Sequence, residues 1–132
     1  MVSLFAGGIA AAGDRLAGFE IRSAFHGITL DGIYRDGTFF SETYNEGGTI
    51  RYHDGRGADV GRWEVVGDTF CTFYESQPGA CFYVSRDGNN CFTFYQVVEG
   101  KNPGEMPSND WSARGWNRDH PATCPKAPEV EI

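Results

Sequence analysis

Basic residues are scarce in this sequence of 132 residues. Lys and Arg total 11 against 18 Asp and Glu, which gives a formal net charge of -7. A chain with this balance has no counterion-release drive towards phosphate backbones or anionic lipid surfaces. The sequence therefore predicts no nucleic-acid partner.

Motifs of common catalytic and metal sites are also absent. The sequence has no G-x-S-x-G, P-loop or dinucleotide fingerprint, and its glycine pairs fall between predicted strands instead of opening a helix. His26, His53 and His120 lie far apart, with none spaced as a metal ligand pair. The candidate carboxylates fall mostly in predicted turns, where Asp supports turn geometry: Asp31, Asp36, Glu42, Glu46, Asp54 and Asp59. We therefore expect a non-enzymatic protein with no catalytic residues, no metal and no cofactor.

Long apolar runs are missing as well. The most apolar stretch, MVSLFAGGIAAAG at residues 1–13, holds about 11 apolar residues, too few to cross a bilayer. It is either a remnant of an export signal or an ordinary N-terminal helix, and both alternatives stay open. We expect a chain that is not itself transmembrane.

Aromatic residues and glycine, in contrast, are plentiful. Apolar residues make up 40% and aromatics 14% of the chain, and there are 18 glycines. This composition supplies one hydrophobic core and many tight turns, which is typical of a single β domain.

From residue 19 to 98, runs of β-branched and aromatic residues alternate with turn signals such as Asp-Gly. The predicted strands cover residues 19–26, 28–34, 38–44, 48–53, 60–66, 69–75, 80–86 and 91–98. Short turns make consecutive strands antiparallel neighbours, and closing the sheet removes its exposed edges. The sequence predicts an all-β, eight-stranded antiparallel up-and-down barrel.

The predicted barrel spans residues 19–98, between an N-terminal segment (1–18) and an irregular, extended C-terminal tail (99–132). The tail holds five of the six prolines, together with two Trp and one Cys. The strands between residues 69 and 98 carry aromatics on both faces, so we expect the tail or a partner to cover their outer face.

The four cysteines, Cys71, Cys81, Cys91 and Cys124, have no C-x-x-C spacing and predict two disulfides. Cys71 and Cys81 flank the SQPG turn, so adjacent strands favour this pair and leave Cys91 for Cys124. The alternative, Cys81 with Cys91 and Cys71 with Cys124, stays open. Disulfides predict a periplasmic or extracellular location.

Two groups of side chains are candidate binding residues. The candidates for a ligand site in the barrel are Phe40, Tyr44, Tyr52, Trp63, Phe73 and Tyr95, with Arg51 and Arg62 near an end. The candidates for a protein-binding surface are Trp111, Arg114, Trp116 and Arg118, residue types enriched at interface hot spots.

The order of motifs from residue 61 to 88 resembles that of a known group of proteins. It comprises a G-x-W, a G-D, two cysteines and a D-G turn, formed by Gly61, Trp63, Gly67, Asp68, Cys71, Cys81, Asp87 and Gly88. In this order, and over roughly residues 16–100, the chain resembles small exported alphaproteobacterial proteins with lipocalin-type (calycin-like) barrels. The resemblance implies the fold and export, and it carries no established activity.

Together these observations predict a non-catalytic exported binding protein. Its ligand is either a small apolar molecule in the barrel or a protein bound through the aromatic outer face and tail. One alternative is an accessory subunit docked on a larger envelope or membrane complex. Another is a protease or lysozyme inhibitor that uses the loop at residues 99–110.

Overall fold

The computed structural model describes residues 13–99 and 110–125, which contain one short helix and nine strands. Residues 1–12, and most of the loop at 99–110, lie outside the described residues, so the predictions made for them stay predictions. The elements in chain order are β1 (Asp14–Arg15), α1 (Gly18–Phe25), β2 (Thr29–Tyr34), β3 (Phe39–Tyr44), β4 (Thr49–Asp54), β5 (Ala58–Val66), β6 (Thr69–Tyr74), β7 (Ala80–Arg86), β8 (Phe92–Gln96) and β9 (Ala113–Asn117).

Strands β2 to β9 form a closed antiparallel barrel in which each strand pairs with its neighbours in sequence. The barrel closes where β9 pairs with β2, with Gly115 opposite Gly32. The predicted eight-stranded antiparallel barrel is confirmed. Strand β1 is an additional strand that pairs with Ser85 and Arg86 on β7, beyond the last pair that β7 forms with β6.

The predicted first strand, residues 19–26, is wrong, because this segment forms helix α1. Ile21 and Phe25 are four residues apart, so one helical face carries both of them into the core, where they are fully buried. Asp68 in the β5–β6 turn accepts a hydrogen bond from the Gly18 amide at 2.8 Å, which satisfies a free donor at the start of the helix. The barrel consequently begins at Thr29.

The prediction of a wholly irregular tail is also wrong, because Ala113–Asn117 forms β9, the eighth strand of the barrel. Ala113 and Gly115 are its inward-facing residues, and both are buried. Because neither residue is large or aromatic, the segment lacks the alternation of aromatic and polar residues that marks the other strands. The tail therefore completes the barrel wall instead of packing over it.

Both disulfides of the favoured pairing are present. Cys71 and Cys81 are directly opposite each other on β6 and β7, and Cys91 bonds to Cys124. This confirms that the segment after β9 is pinned by a disulfide. Two disulfides are consistent with a non-cytoplasmic protein.

The core is densest at the end of the barrel closed by α1. The Phe25 ring lies between 5.0 and 5.8 Å, centroid to centroid, from the rings of Tyr44, Phe70, Phe92 and Phe94. Leu16, just before the helix, is buried beside them. Helix α1 therefore acts as a plug at this end of the barrel.

No helix in the described part of the chain has the length and apolar character needed to cross a bilayer.

Candidate functional site

A cavity of about 180 Å³ lies inside the barrel at the end away from α1. Its walls come from β2, β3, β6, β7, β8 and β9, and the exposed Gln77 and Pro78 of the β6–β7 turn border it. The volume is close to that of engineered protein cavities of about 150 Å³ that take up benzene. The cavity therefore has room for a ligand of benzene-like size.

A continuous row of aromatic rings, the aromatic wall, runs along one side of this cavity, and Tyr34, Phe40 and Tyr74 of this row line it. The Phe40 ring stacks on Tyr34 at 4.6 Å, and Tyr52 lies between Phe40 at 6.2 Å and Tyr74 at 5.4 Å. Glycine at position 32 makes this stacking fit, because a Cβ there would lie 2.6 Å from the Phe40 ring. The rings of this wall come from four strands, β2, β3, β4 and β6.

The carboxylate of Glu42 lies in the middle of the aromatic wall. Glu42 alternates with Phe40 and Tyr44 along β3, so the strand directs all three into the barrel. The Tyr44 hydroxyl donates to Oε1 of Glu42 at 2.6 Å, and the Tyr74 hydroxyl donates to Oε2. Both carboxylate oxygens are thereby hydrogen-bonded to phenols.

Burial raises the pKa of Glu42 above its ordinary value of 4.5, and the hydrogen bonds from Tyr44 and Tyr74 offset part of this effect. Burial also raises the pKa values of Tyr44 and Tyr74, and the neighbouring Glu42 charge raises them further. These phenols therefore remain protonated donors at neutral pH.

A second chain of hydroxyls runs beside the first. The Tyr52 hydroxyl donates to Oδ2 of Asp54 at 2.7 Å, and the Tyr34 and Tyr52 hydroxyls are 2.8 Å apart. Since the Tyr52 proton is used on Asp54, Tyr34 is the donor of that second bond. Burial raises the pKa values of both tyrosines.

Four of the predicted ligand-binding residues lie inside the barrel: Phe40, Tyr44, Tyr52 and Trp63. Phe40 lines the cavity, whereas Tyr44 and Trp63 pack into the closed end near α1. The Trp63 indole donates to the Asn45 carbonyl at 3.0 Å, which fixes its orientation. The aromatic lumen was thus predicted in part, with some of its residues filling the core.

Phe73 and Tyr95 lie on the outer wall, so their predicted placement in the lumen is wrong, and Arg51 and Arg62, predicted near an end of the barrel, are on the outer wall as well. Phe73 alternates with Thr72 and Tyr74, which face inwards, and it is 38% exposed. Arg62 pairs with Phe73 across the sheet and Arg51 lies on the next strand, and both arginines are exposed.

Tyr95 also points outwards, because its neighbour Phe94 packs on Phe25 inside. Tyr95 pairs with Tyr83 on β7, and the Arg15 guanidinium lies 4.4 Å from the Tyr83 ring centroid. The segment before α1 therefore covers part of this aromatic outer face, for which the tail or a partner was the predicted cover.

The four residues predicted to bind a partner all belong to β9 or its ends. Arg114 lies 4.6 Å from the ring centroid of Trp111 and donates to Thr93 at 3.0 Å.

Trp116, half-buried, pairs with Asp31 across the sheet. Arg118 forms an ion pair with Asp31 at 2.8 Å and donates to Ser41 at 2.9 Å. These side chains have intramolecular contacts, and their role in partner binding stays a prediction.

Sequence reasoning missed the central residues of the cavity, Glu42, Tyr74 and Tyr34. Glu42 lies inside the predicted strand 38–44 and inside β3, so the turn role that fits most of the acidic residues does not apply to it. The signal that could have found it is its position midway between Phe40 and Tyr44, two residues already assigned to the interior.

Within residues 13–99 and 110–125, no group of three His, Cys, Asp or Glu side chains is placed to hold a metal ion.

The fold and the cavity define the class of the molecule as a closed eight-stranded antiparallel barrel with a small aromatic cavity at one end. No known protein family, curated protein or solved structure matches the chain.

Proposed function

We propose that this protein is a non-catalytic binding protein, exported to the periplasm or the extracellular space, that holds a small apolar ligand in the cavity of its lipocalin-like barrel. The observation that carries the proposal is the cavity of about 180 Å³ walled by Tyr34, Phe40, Tyr74 and Phe82. Aromatic and aliphatic walls with a few polar groups are the usual lining of small-molecule sites. The two disulfides support export.

Thermal unfolding in the presence of small apolar probes tests this function. A ligand that binds only the folded protein raises the Tm in a saturable way, so toluene and indole should raise the Tm of the wild type. Ala80 lines the cavity, and Ala80→Leu fills part of it. This variant should lose the shift. Ala58→Leu, at an exposed position on β5, is the matched control and should keep it.

The proposal fails if neither probe produces a saturable shift with the wild type. It also fails if Ala80→Leu and Ala58→Leu respond identically to the probes, since the binding would then lie outside the cavity.

The accessory-subunit alternative has support on the outer wall of β4, β5 and β6. Val60 and Phe73 are exposed there, next to Arg51 and Arg62, and the four side chains border one surface groove. Exposed apolar side chains flanked by Arg are typical of protein interfaces.

Co-purification from a native envelope fraction tests this alternative. If the groove docks on a larger complex, Val60→Ser with Phe73→Ser should release the partner at an unchanged Tm. The control pair Val66→Ser with Val98→Ser, also exposed, should retain it. Equal recovery with both pairs would rule the groove out. The inhibitor alternative depends on a loop outside the described residues and stays a prediction.

A further inference from the structure

The cavity contains an acidic group without a basic counterpart. Glu42 is the only Asp, Glu, Lys, Arg or His among the described residues that line it; the others are Tyr34, Phe40, Phe70, Thr72, Tyr74, Gln77, Pro78, Ala80, Phe82, Phe94, Ser112 and Ala113. The two hydrogen bonds to Glu42 come from neutral phenols. Among the described residues that line the cavity, the carboxylate therefore has hydrogen-bond donors but no counter-charge.

A carboxylate in such surroundings is costly to keep ionised. Removing a charge from water costs several kcal/mol unless hydrogen bonds and an opposite charge compensate, and neutral donors supply only part of this. The pKa of Glu42 is raised for the same reason, because the hydrogen bonds offset only part of the cost of burying the charge. A cation that enters the cavity would supply the missing attraction.

The aromatic wall favours the same kind of ligand. Cations are attracted to the faces of Tyr and Phe rings within about 6 Å of the ring centroid. Tyr74 binds Glu42 directly and also lines the cavity, and Phe40 and Phe82 line it as well. A cation held near Glu42 would be close to the Tyr74 ring, whose hydroxyl binds the carboxylate.

We propose that the cavity binds a small organic cation, an alkylammonium or quaternary ammonium group of benzene-like size, with its positive charge directed at the Glu42 carboxylate. This inference rests on the proposed function, because it concerns a ligand of the same cavity, and it adds one positive charge to the otherwise apolar molecule proposed there. The volume of about 180 Å³ limits the ligand to a few non-hydrogen atoms beyond the charged group.

Calorimetric titration with two probes of equal shape tests the inference. Choline carries a quaternary ammonium group, and 3,3-dimethyl-1-butanol has the same shape without the charge. The wild type should bind choline about tenfold more tightly than the alcohol at low ionic strength, because only choline gains the attraction of the carboxylate and the rings.

Matched variants assign this preference to Glu42. Glu42→Gln keeps the size of the side chain and removes its charge, so both probes should bind it with similar affinity. Glu64→Gln removes one charge from an exposed position on the outer wall of β5 and should retain the preference of the wild type for choline. A preference that persists in Glu42→Gln overturns the role of Glu42.

A measurement on the wild type alone covers the case in which Glu42→Gln does not fold. At saturating choline, its methyl protons should show nuclear Overhauser contacts to the ring protons of Tyr74 and Phe40. Their absence places choline outside the cavity and overturns the inference.

The outcomes also separate this inference from the proposed function. Equal binding of choline and the alcohol by the wild type overturns the cation assignment, while binding of a small ligand in the cavity stands. If toluene and indole fail to bind, the proposed function fails, and if choline also fails to bind, the inference fails with it.

Discussion

Asn90 joins the barrel to the chain that follows β9. Its side-chain oxygen accepts a hydrogen bond from the Asn117 amide at 2.8 Å, and its side-chain nitrogen donates towards the carbonyls of Asn117, His120 and Pro121 at 3.0 to 3.1 Å. The backbone amide of Asn90 donates to Thr123 at 2.8 Å. A buried amide with this many partners holds the returning chain against the β7–β8 turn.

We expect Asn90→Ala to lower the free energy of unfolding by about 2–3 kcal/mol, because the Asn117 amide and three backbone carbonyls lose their partner at once. Urea denaturation with an unchanged m-value measures the effect. Asn89→Ala, exposed in the same turn, is the control and should change stability by less than about 0.5 kcal/mol. Equal effects of the two substitutions would contradict the role of Asn90.

The buried carboxyl group of Glu42 predicts how the stability of the fold changes with pH. Its pKa is raised by burial in the folded state, so between the ordinary value of 4.5 and the raised value the folded protein binds more protons than the unfolded chain. The contribution of Glu42 to stability is therefore fully present below that interval and is lost as the pH rises through it.

Relative to the wild type, Glu42→Gln should gain stability as the pH is raised from 4 to 7.5. Urea denaturation at both pH values measures the difference, in which the contributions of the other carboxylates cancel. The exposed, charge-matched Glu64→Gln variant should not show this gain. A difference between Glu42→Gln and the wild type that stays constant with pH would refute the assignment.

Helix α1 shows, at the scale of an element, why a short segment can be misassigned. Residues 19–26 have Phe19 and Ile21 at strand spacing and Ile21 and Phe25 at helix spacing, so periodicity alone does not choose between the two. An isolated helix of eight residues is marginal in water. The packing of Ile21 and Phe25 in the barrel end decides the outcome.

We expect Phe25→Ala to destabilise the protein by about 3–5 kcal/mol, because it removes a ring packed against four others and leaves a cavity. Phe19 lies on the same helix but is 73% exposed, so Phe19→Ala is the matched control and should have a small effect. Chemical denaturation followed by far-UV circular dichroism compares them. A small effect of Phe25→Ala would show that α1 is not part of the core.

Strand β9 shows why a strand can go unrecognised in the sequence. Its inward residues are Ala113 and Gly115, whose small size suits a strand flanked by Leu30 on β2 and Phe94 on β8. Because such residues do not stand out by hydrophobicity, the pairing partners on both sides had to be known before the segment could be recognised as a strand.

At the scale of the whole molecule, the two disulfides constrain the unfolded chain to different extents. Cys71 and Cys81 are separated by 10 residues, and Cys91 and Cys124 by 33. In the unfolded state, the disulfide that closes the longer loop removes more conformational entropy from the chain. The longer-range disulfide also joins the chain after β9 to the start of β8.

Removal of Cys91 and Cys124 should therefore lower the free energy of unfolding by about 1 kcal/mol more than removal of Cys71 and Cys81. Paired Cys→Ala variants compared by urea denaturation provide the measurement. Cys71 and Cys91 are both fully buried, so the cost of lost packing is similar in the two variants. An equal or larger loss from the Cys71 and Cys81 variant would contradict the entropic account.

The sequence by itself determined the strands between residues 28 and 98, their turns and the barrel class, because these follow from local alternation and turn chemistry. It also favoured the cysteine pairs that form, since a hairpin places Cys71 opposite Cys81. Only the tertiary structure decided that residues 18–25 form a helical plug and that residues 113–117 close the barrel. It also placed Glu42 among tyrosines from different strands. Those features depend on contacts between distant parts of the chain, which local periodicity does not encode.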